Sequence, residues 1–176
     1  MTQKLTGTEV IMDDVAVYDF WSWAYSDLLM NIVRGAFAEY LVGLALELTI
    51  PSRQDWEPFD FCYQGKRIEV KSSAFIQSWQ QKKLYNPAFS IKKNSKGTRE
   101  SDFYIFCLYS EQIRSRANPL RIEDWKFWVA PTPVLKESVL DKKNVSLRTI
   151  ESYFESGVSY SQLRDHLDEA IKDPLS

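Results

Sequence analysis

Histidine is nearly absent from this chain of 176 residues, with His166 alone, and the only cysteines are Cys62 and Cys107. One imidazole and two distant thiols do not make the ligand spacing of a zinc site, and two cysteines are no disulfide framework. Both thiols read as reduced strand residues. No apolar run reaches the ~20 residues of a membrane span, and Met1-Thr-Gln-Lys leads into no hydrophobic signal segment. A cytoplasmic protein without membrane contact is expected. An excess of positive charge is missing too, since 22 Lys and Arg face 24 Asp and Glu, a net of −2. Affinity for a polyanion would have to come from a local patch.

What is present is the composition of a folded protein, 44% hydrophobic and 14% aromatic, in a chain whose length suits one domain over 1–176. Residues 1–20 are polar and read as a tail or a short first strand. Phe20, Trp21, Trp23 and Tyr25 cluster before Ser26 and Asp27, either of which could cap a following helix. Core packing is the expectation for these aromatics. From Leu28 to about Leu48, Leu29, Val33, Ala36, Tyr40 and Leu44 recur at helical spacing, widened by Phe37 and Leu41. Glu39 lies at the edge of that stripe, where it could face the sheet's acids or pair with Arg34 or a sheet lysine. Gly35 and Gly43 one turn to either side point to close packing beside it.

The most informative stretch is Pro58 to Ser73. Phe59, Phe61 and Tyr63 alternate with polar or small residues, Gln64-Gly65 interrupts, and Ile68 and Val70 alternate with Glu69 and Lys71. The pattern predicts a hairpin with Gln64-Gly65 at its turn. Asp60 then lies across from Glu69, with Cβ atoms roughly 4.5–5.5 Å apart. Lys71 shares the Glu69 face. Two opposed carboxylates destabilise a hairpin unless one is protonated or a cation joins them. A hard divalent ion such as Mg²⁺ takes one or two carboxylates plus water and substrate phosphate. The alternative is that Asp60, Arg67, Glu69 and Lys71 form a solvated hairpin face. Acid-x-lysine triplets also occur at Asp124-Trp125-Lys126 and Asp141-Lys142-Lys143, but neither follows a turn with a facing acid.

Pro58-Phe59-Asp60 with Glu69-Val70-Lys71 resembles the motif of the PD-(D/E)XK, or restriction-endonuclease-like, nucleases, over roughly residues 26–110. One residue separates Pro58 from Asp60, so the proline is out of register and the acids and lysine carry the likeness. The resemblance implies an α/β fold whose central mixed sheet is flanked by helices, a helix preceding the sheet and another following. It implies Asp60, Glu69 and the Val70 carbonyl as ligands of Mg²⁺ or Mn²⁺, with Glu39 completing the acidic cluster and Lys71 as a catalytic residue. It also implies a nucleic-acid substrate, DNA before RNA, and brings homodimerisation into consideration. Ser73, Gln77 and Gln81 are candidate supporting residues, the last because Gln81 and Tyr85 resemble the Gln-x-x-x-Tyr pattern of the RecB-like branch.

Between 82 and 99, Lys82, Lys83, Lys92, Lys93, Lys96 and Arg99 occur with no acid. They are the candidate phosphate-binding patch, or else a solvated loop. Asp102–Tyr109 is almost continuously apolar and reads as a central strand. Lys126–Ala130, stopped by Pro131, reads as another. The segments 146–155 and 161–172 read as C-terminal helices joined around Gly157, like a helix-turn-helix. There Gln162 and Arg164 are followed by Asp165, Asp168 and Glu169, which would repel phosphate, so ordinary packing is favoured. Two alternatives to a nuclease follow: a nucleic-acid-binding or assembly protein without turnover on the same fold, and a helix-turn-helix regulator.

Overall fold

The computed structural model describes residues 4–49, 58–91, 101–135, 139, 142–154 and 156–173. Its centre is a mixed sheet of four strands, β3 (Phe61–Tyr63), β4 (Lys66–Ala74), β6 (Phe103–Tyr109) and β7 (Trp125–Pro131), adjacent in that order. The β3–β4 and β6–β7 pairs are antiparallel and β4–β6 is parallel. All seven residues of β6 are buried, as its unbroken apolar run requires of a strand covered on both faces.

Alternation along β6 divides the core. Phe103, Ile105, Cys107 and Tyr109 pack with Ile68, Val70 and Ala74 of β4 under helices α2 (Asn31–Ala45) and α4 (Leu163–Lys172), which contribute Ala38, Leu41, Val42, Leu163 and Leu167. Tyr104, Phe106 and Leu108 pack on the other face with Trp128 of β7 and Phe89, Val145 and Ile150. Those last three belong to β5 (Ala88–Ser90), β8 (Asn144–Ser146) and α3 (Leu147–Phe154), with β5 and β8 paired antiparallel. The protein is thus mixed α/β, with a central mixed sheet flanked by helices.

The connection from β4 to β6 carries β5 and, among the described residues, no helix. Arg67 and Asp102 lock the start of that parallel pair. The Arg67 backbone N–H and Nε donate to Asp102 Oδ2 at 2.8 and 3.1 Å, and Nη2 donates to Oδ1 at 3.1 Å. The guanidinium holds the Asp102 carboxyl below its ordinary pKa.

The first core helix and the aromatic cluster before it depart from expectation. The first helix of the core begins at Asn31 rather than Leu28, because Asp27 takes the N–H of Leu29 on its side chain and that of Met30 on its carbonyl, closing a turn ahead of the helix. Its buried line is Val33, Ala38, Leu41 and Val42, while Tyr40 and Leu44 are exposed. The small residues Gly35 and Ala38 let the sheet approach on that side, and a Cβ on Gly35 would lie 4.0 Å from Ser72 Oγ.

The aromatics at 20–25 do not pack in the core. They lie on α1 (Val17–Tyr25), behind a hairpin of β1 (Val10–Met12) and β2 (Val15–Ala16), and Trp23 is 82% exposed. Aromatics at 18, 20, 21, 23 and 25 surround the helix, and its one buried residue is Val17. Trp21 leans over Gly7, where a Cβ would meet its ring at 3.1 Å. Among the described residues no helix is long and apolar enough to cross a membrane.

The C-terminal pair forms as α3 and α4, but its connector is pinned to the sheet. Val158 and Phe127 exchange backbone hydrogen bonds at 2.8 and 3.0 Å, and Leu163 and Leu167 turn into the core. Arg164 pairs with Glu47 at 2.6 Å. Cys62 and Cys107 are free thiols, one exposed and one buried.

Candidate active site

The hairpin has the register expected of it. Phe61, Cys62 and Tyr63 pair with Ile68, Arg67 and Lys66, and Gln64 and Gly65 both take positive φ, 48 and 75, as a two-residue type I′ turn requires. The paired register ends at Phe61 and Ile68, and Asp60 leaves it as a bulge rather than standing directly across from Glu69. The Asp60 N–H donates to the Ile68 carbonyl at 3.0 Å. Its side chain then replaces the next rung, because Oδ2 accepts the Val70 N–H at 2.6 Å. Asp60 therefore sits at the edge of the sheet.

From that edge it meets two acids on different faces. Ile68 and Val70 point toward α2, so Glu69 and Lys71, which alternate with them, point the other way. Glu39 comes from α2 on the opposite side. Burial pushes the Asp60 carboxyl up to about 7, repulsion from Glu69 and more weakly from Glu39 adds to the rise, and the Val70 N–H and Lys71 oppose it. Burial, with repulsion from Asp60 and Glu39, also holds the Cys107 thiol in its neutral form. Glu39 is thus within electrostatic reach of Asp60 but does not share the Glu69 face.

Glu69 and Lys71 are ion-paired through Oε1 and Nζ, with side chains 19% and 28% exposed. Ser101, just ahead of β6, donates to Glu69 Oε2 at 3.4 Å. It is a contact that sequence spacing did not point to, since it arises from the parallel register of β4 and β6. The hard oxygens of Asp60, Glu69 and the Val70 carbonyl suit Mg²⁺ or Mn²⁺, and the repulsion borne by Asp60 is what a cation relieves. Among the described residues no three His, Cys, Asp or Glu side chains form a group that could hold a metal. Glu39 is coupled to this pair through its repulsion of the Asp60 carboxylate.

The supporting residues have structural work. Ser73 is buried and accepts the Ala88 N–H at 3.2 Å, tying β4 to β5. Gln77, 1% exposed, donates to the Ala74 carbonyl at 2.7 Å, and its own N–H is received by Gln81 Oε1 at 2.7 Å. Gln81 Nε2 closes the loop on the Phe75 carbonyl at 3.2 Å. Both glutamines brace the turn after β4. Lys82 and Lys83 are exposed on it, whereas Lys92, Lys93, Lys96 and Arg99 lie outside the described residues.

Arg34, named from the sequence only as an alternative partner for Glu39, falls on an apolar helix face. It is 3% exposed and donates to the Leu29 carbonyl and Asn31 Oδ1 at 3.0 and 2.7 Å, and to Gln77 Oε1 at 3.5 Å. Desolvation lowers its pKa to about 10, so it stays charged at neutral pH. No family model, curated protein or solved structure matches the chain.

Proposed function

We propose that the protein is a metal-dependent nuclease of restriction-endonuclease-like type that hydrolyses phosphodiester bonds in nucleic acid, DNA before RNA. The observation that carries this reading is the Asp60 carboxyl held on the Val70 N–H and repelled by Glu69, with Lys71 ion-paired to Glu69. The order of α2, hairpin and central strand on a mixed sheet supports it. Asp60, Glu69 and the Val70 carbonyl would hold Mg²⁺ or Mn²⁺. When bound, the ion supplies Lewis-acid charge at the phosphate and lowers the pKa of water.

The chain's own residues do the rest. Lys71, paired with Glu69 in the structure, would present its ammonium to the charge that develops on the phosphate. Water adds to phosphorus, one ester bond breaks, and the leaving oxygen takes a proton, leaving a phosphomonoester and a hydroxyl. Glu39 and Ser101 position the site by charge and by the bond to Glu69.

A second reading, a nucleic-acid-binding or assembly module without turnover, draws on one observation: Lys71 already satisfies Glu69 as an internal cation. Incubation with linear and circular DNA and with RNA in Mg²⁺ or Mn²⁺ separates the two. The nuclease reading expects metal-dependent fragments that fall at least about 100-fold in a folded Lys71→Ala variant. Binding without products, or products that survive Lys71→Ala, overturns it.

A further inference from the structure

The loop that follows β4 has no part in the chemistry described, yet it is built more firmly than a solvated connection needs. Ile76 and Gln77 are each 1% exposed. Besides the Gln77 and Gln81 bonds, the Tyr85 N–H donates to the Phe75 carbonyl at 2.9 Å. From across the sheet's end, Arg114 Nη2 donates to the Gln77 carbonyl at 2.7 Å and also to that of Trp79. Arg34, buried below, has carbonyl and amide oxygens as its hydrogen-bond acceptors and no carboxylate among them. Its charge acts through low-dielectric surroundings on the loop above.

What this frame presents to solvent is aromatic and basic. Trp79 and Tyr85 are 53% and 44% exposed, and Lys82 and Lys83 between them are exposed as well. No acid occurs in the sequence from Val70 to Arg99, although the whole chain is slightly acidic. The loop opens four residues beyond Lys71, about 13 Å along β4.

We infer that Trp79, Tyr85, Lys82 and Lys83 form a platform for unpaired DNA, which takes a single strand and delivers it along β4 to the Asp60–Glu69–Lys71 site. Flat rings stack on bases of any sequence, which are accessible only when unpaired, and lysines on the same loop neutralise the phosphates. Because the loop is already folded, little ordering entropy opposes binding. The inference rests on the nuclease reading for its purpose, but binding and cleavage are measured apart.

The test is fluorescence anisotropy of labelled oligothymidylate and of a labelled duplex, with EDTA present so that no cleavage occurs. The wild type should bind the single strand more tightly than the duplex. Trp79→Ala should weaken single-strand binding about ten-fold, and Trp79→Phe should restore most of it. Lys82→Ala with Lys83→Ala should lower the slope of log affinity against log salt by about 1.4. Preference for duplex, absence of single-strand binding, a ten-fold preference for an RNA strand of the same length, or indifference to Trp79→Ala overturns the platform. Cleavage by a wild type whose binding ignores Trp79 would leave the nuclease reading standing and remove only the platform. Trp79-dependent binding without cleavage would do the reverse.

Discussion

Asp60 Oδ2 accepts the backbone N–H of Val70 at 2.6 Å, tying the aspartate to the strand that carries Glu69 and Lys71. Its carboxyl is nevertheless raised from 3.8 to about 7, chiefly by burial and then by Glu69. Between those values the native protein holds a proton that the unfolded chain has released. Stability therefore falls as pH rises through that window. Asp60→Asn keeps an acceptor for Val70 and removes the charge, so it should flatten the fall, on the order of 2 kcal/mol after allowance for solvent screening. Urea unfolding of both proteins across the window checks this. Equal slopes would show that Asp60 ionises freely.

The turn between β3 and β4 makes its own demand. Gly65 at φ 75 and Gln64 at φ 48 both occupy the left-handed region. Gly65→Ala should cost about 1 kcal/mol, while Gln64→Asn, which favours this region, should gain a few tenths. Thermal unfolding of the pair of variants decides it, and two neutral substitutions would be inconsistent with a type I′ turn.

Gly157 is constrained by space. A Cβ there would meet the Trp128 ring at 2.7–2.9 Å. Gly157→Ala should destabilise by about 1–3 kcal/mol through overpacking and alter near-ultraviolet dichroism. A variant as stable as wild type would mean that the connector to α4 can lift off β7.

Where local chemistry decides structure, the chain could be read directly. Gly65 amid alternating Phe61, Tyr63, Ile68 and Val70 allowed one hairpin register, and the apolar run ending at Tyr109 allowed a strand covered on both faces. Relationships made by distant packing could not be read that way. Ser101 reaches Glu69 only because β4 and β6 run parallel, and Arg34 lies under Gln77 only because α2 crosses the end of β4. Glu39 has the helical spacing of a site residue, but which face of the sheet its helix covers is a property of the whole core. The aromatics of α1 have the composition of a core, but among the described residues no element buries them, so composition misplaced them.

The central claim is that the Asp60–Glu69 hairpin is a site for a divalent cation. Titration calorimetry of Mn²⁺ and Mg²⁺ into wild type, Asp60→Asn and Glu69→Gln at pH 8, in buffers of different ionisation enthalpy, tests it most directly. The account predicts binding by wild type with release of a fraction of a proton, because ligation requires the Asp60 carboxylate, weaker binding at pH 6, and loss of binding in both variants. Wild-type binding that persists unchanged in both variants would place any cation elsewhere and contradict the account.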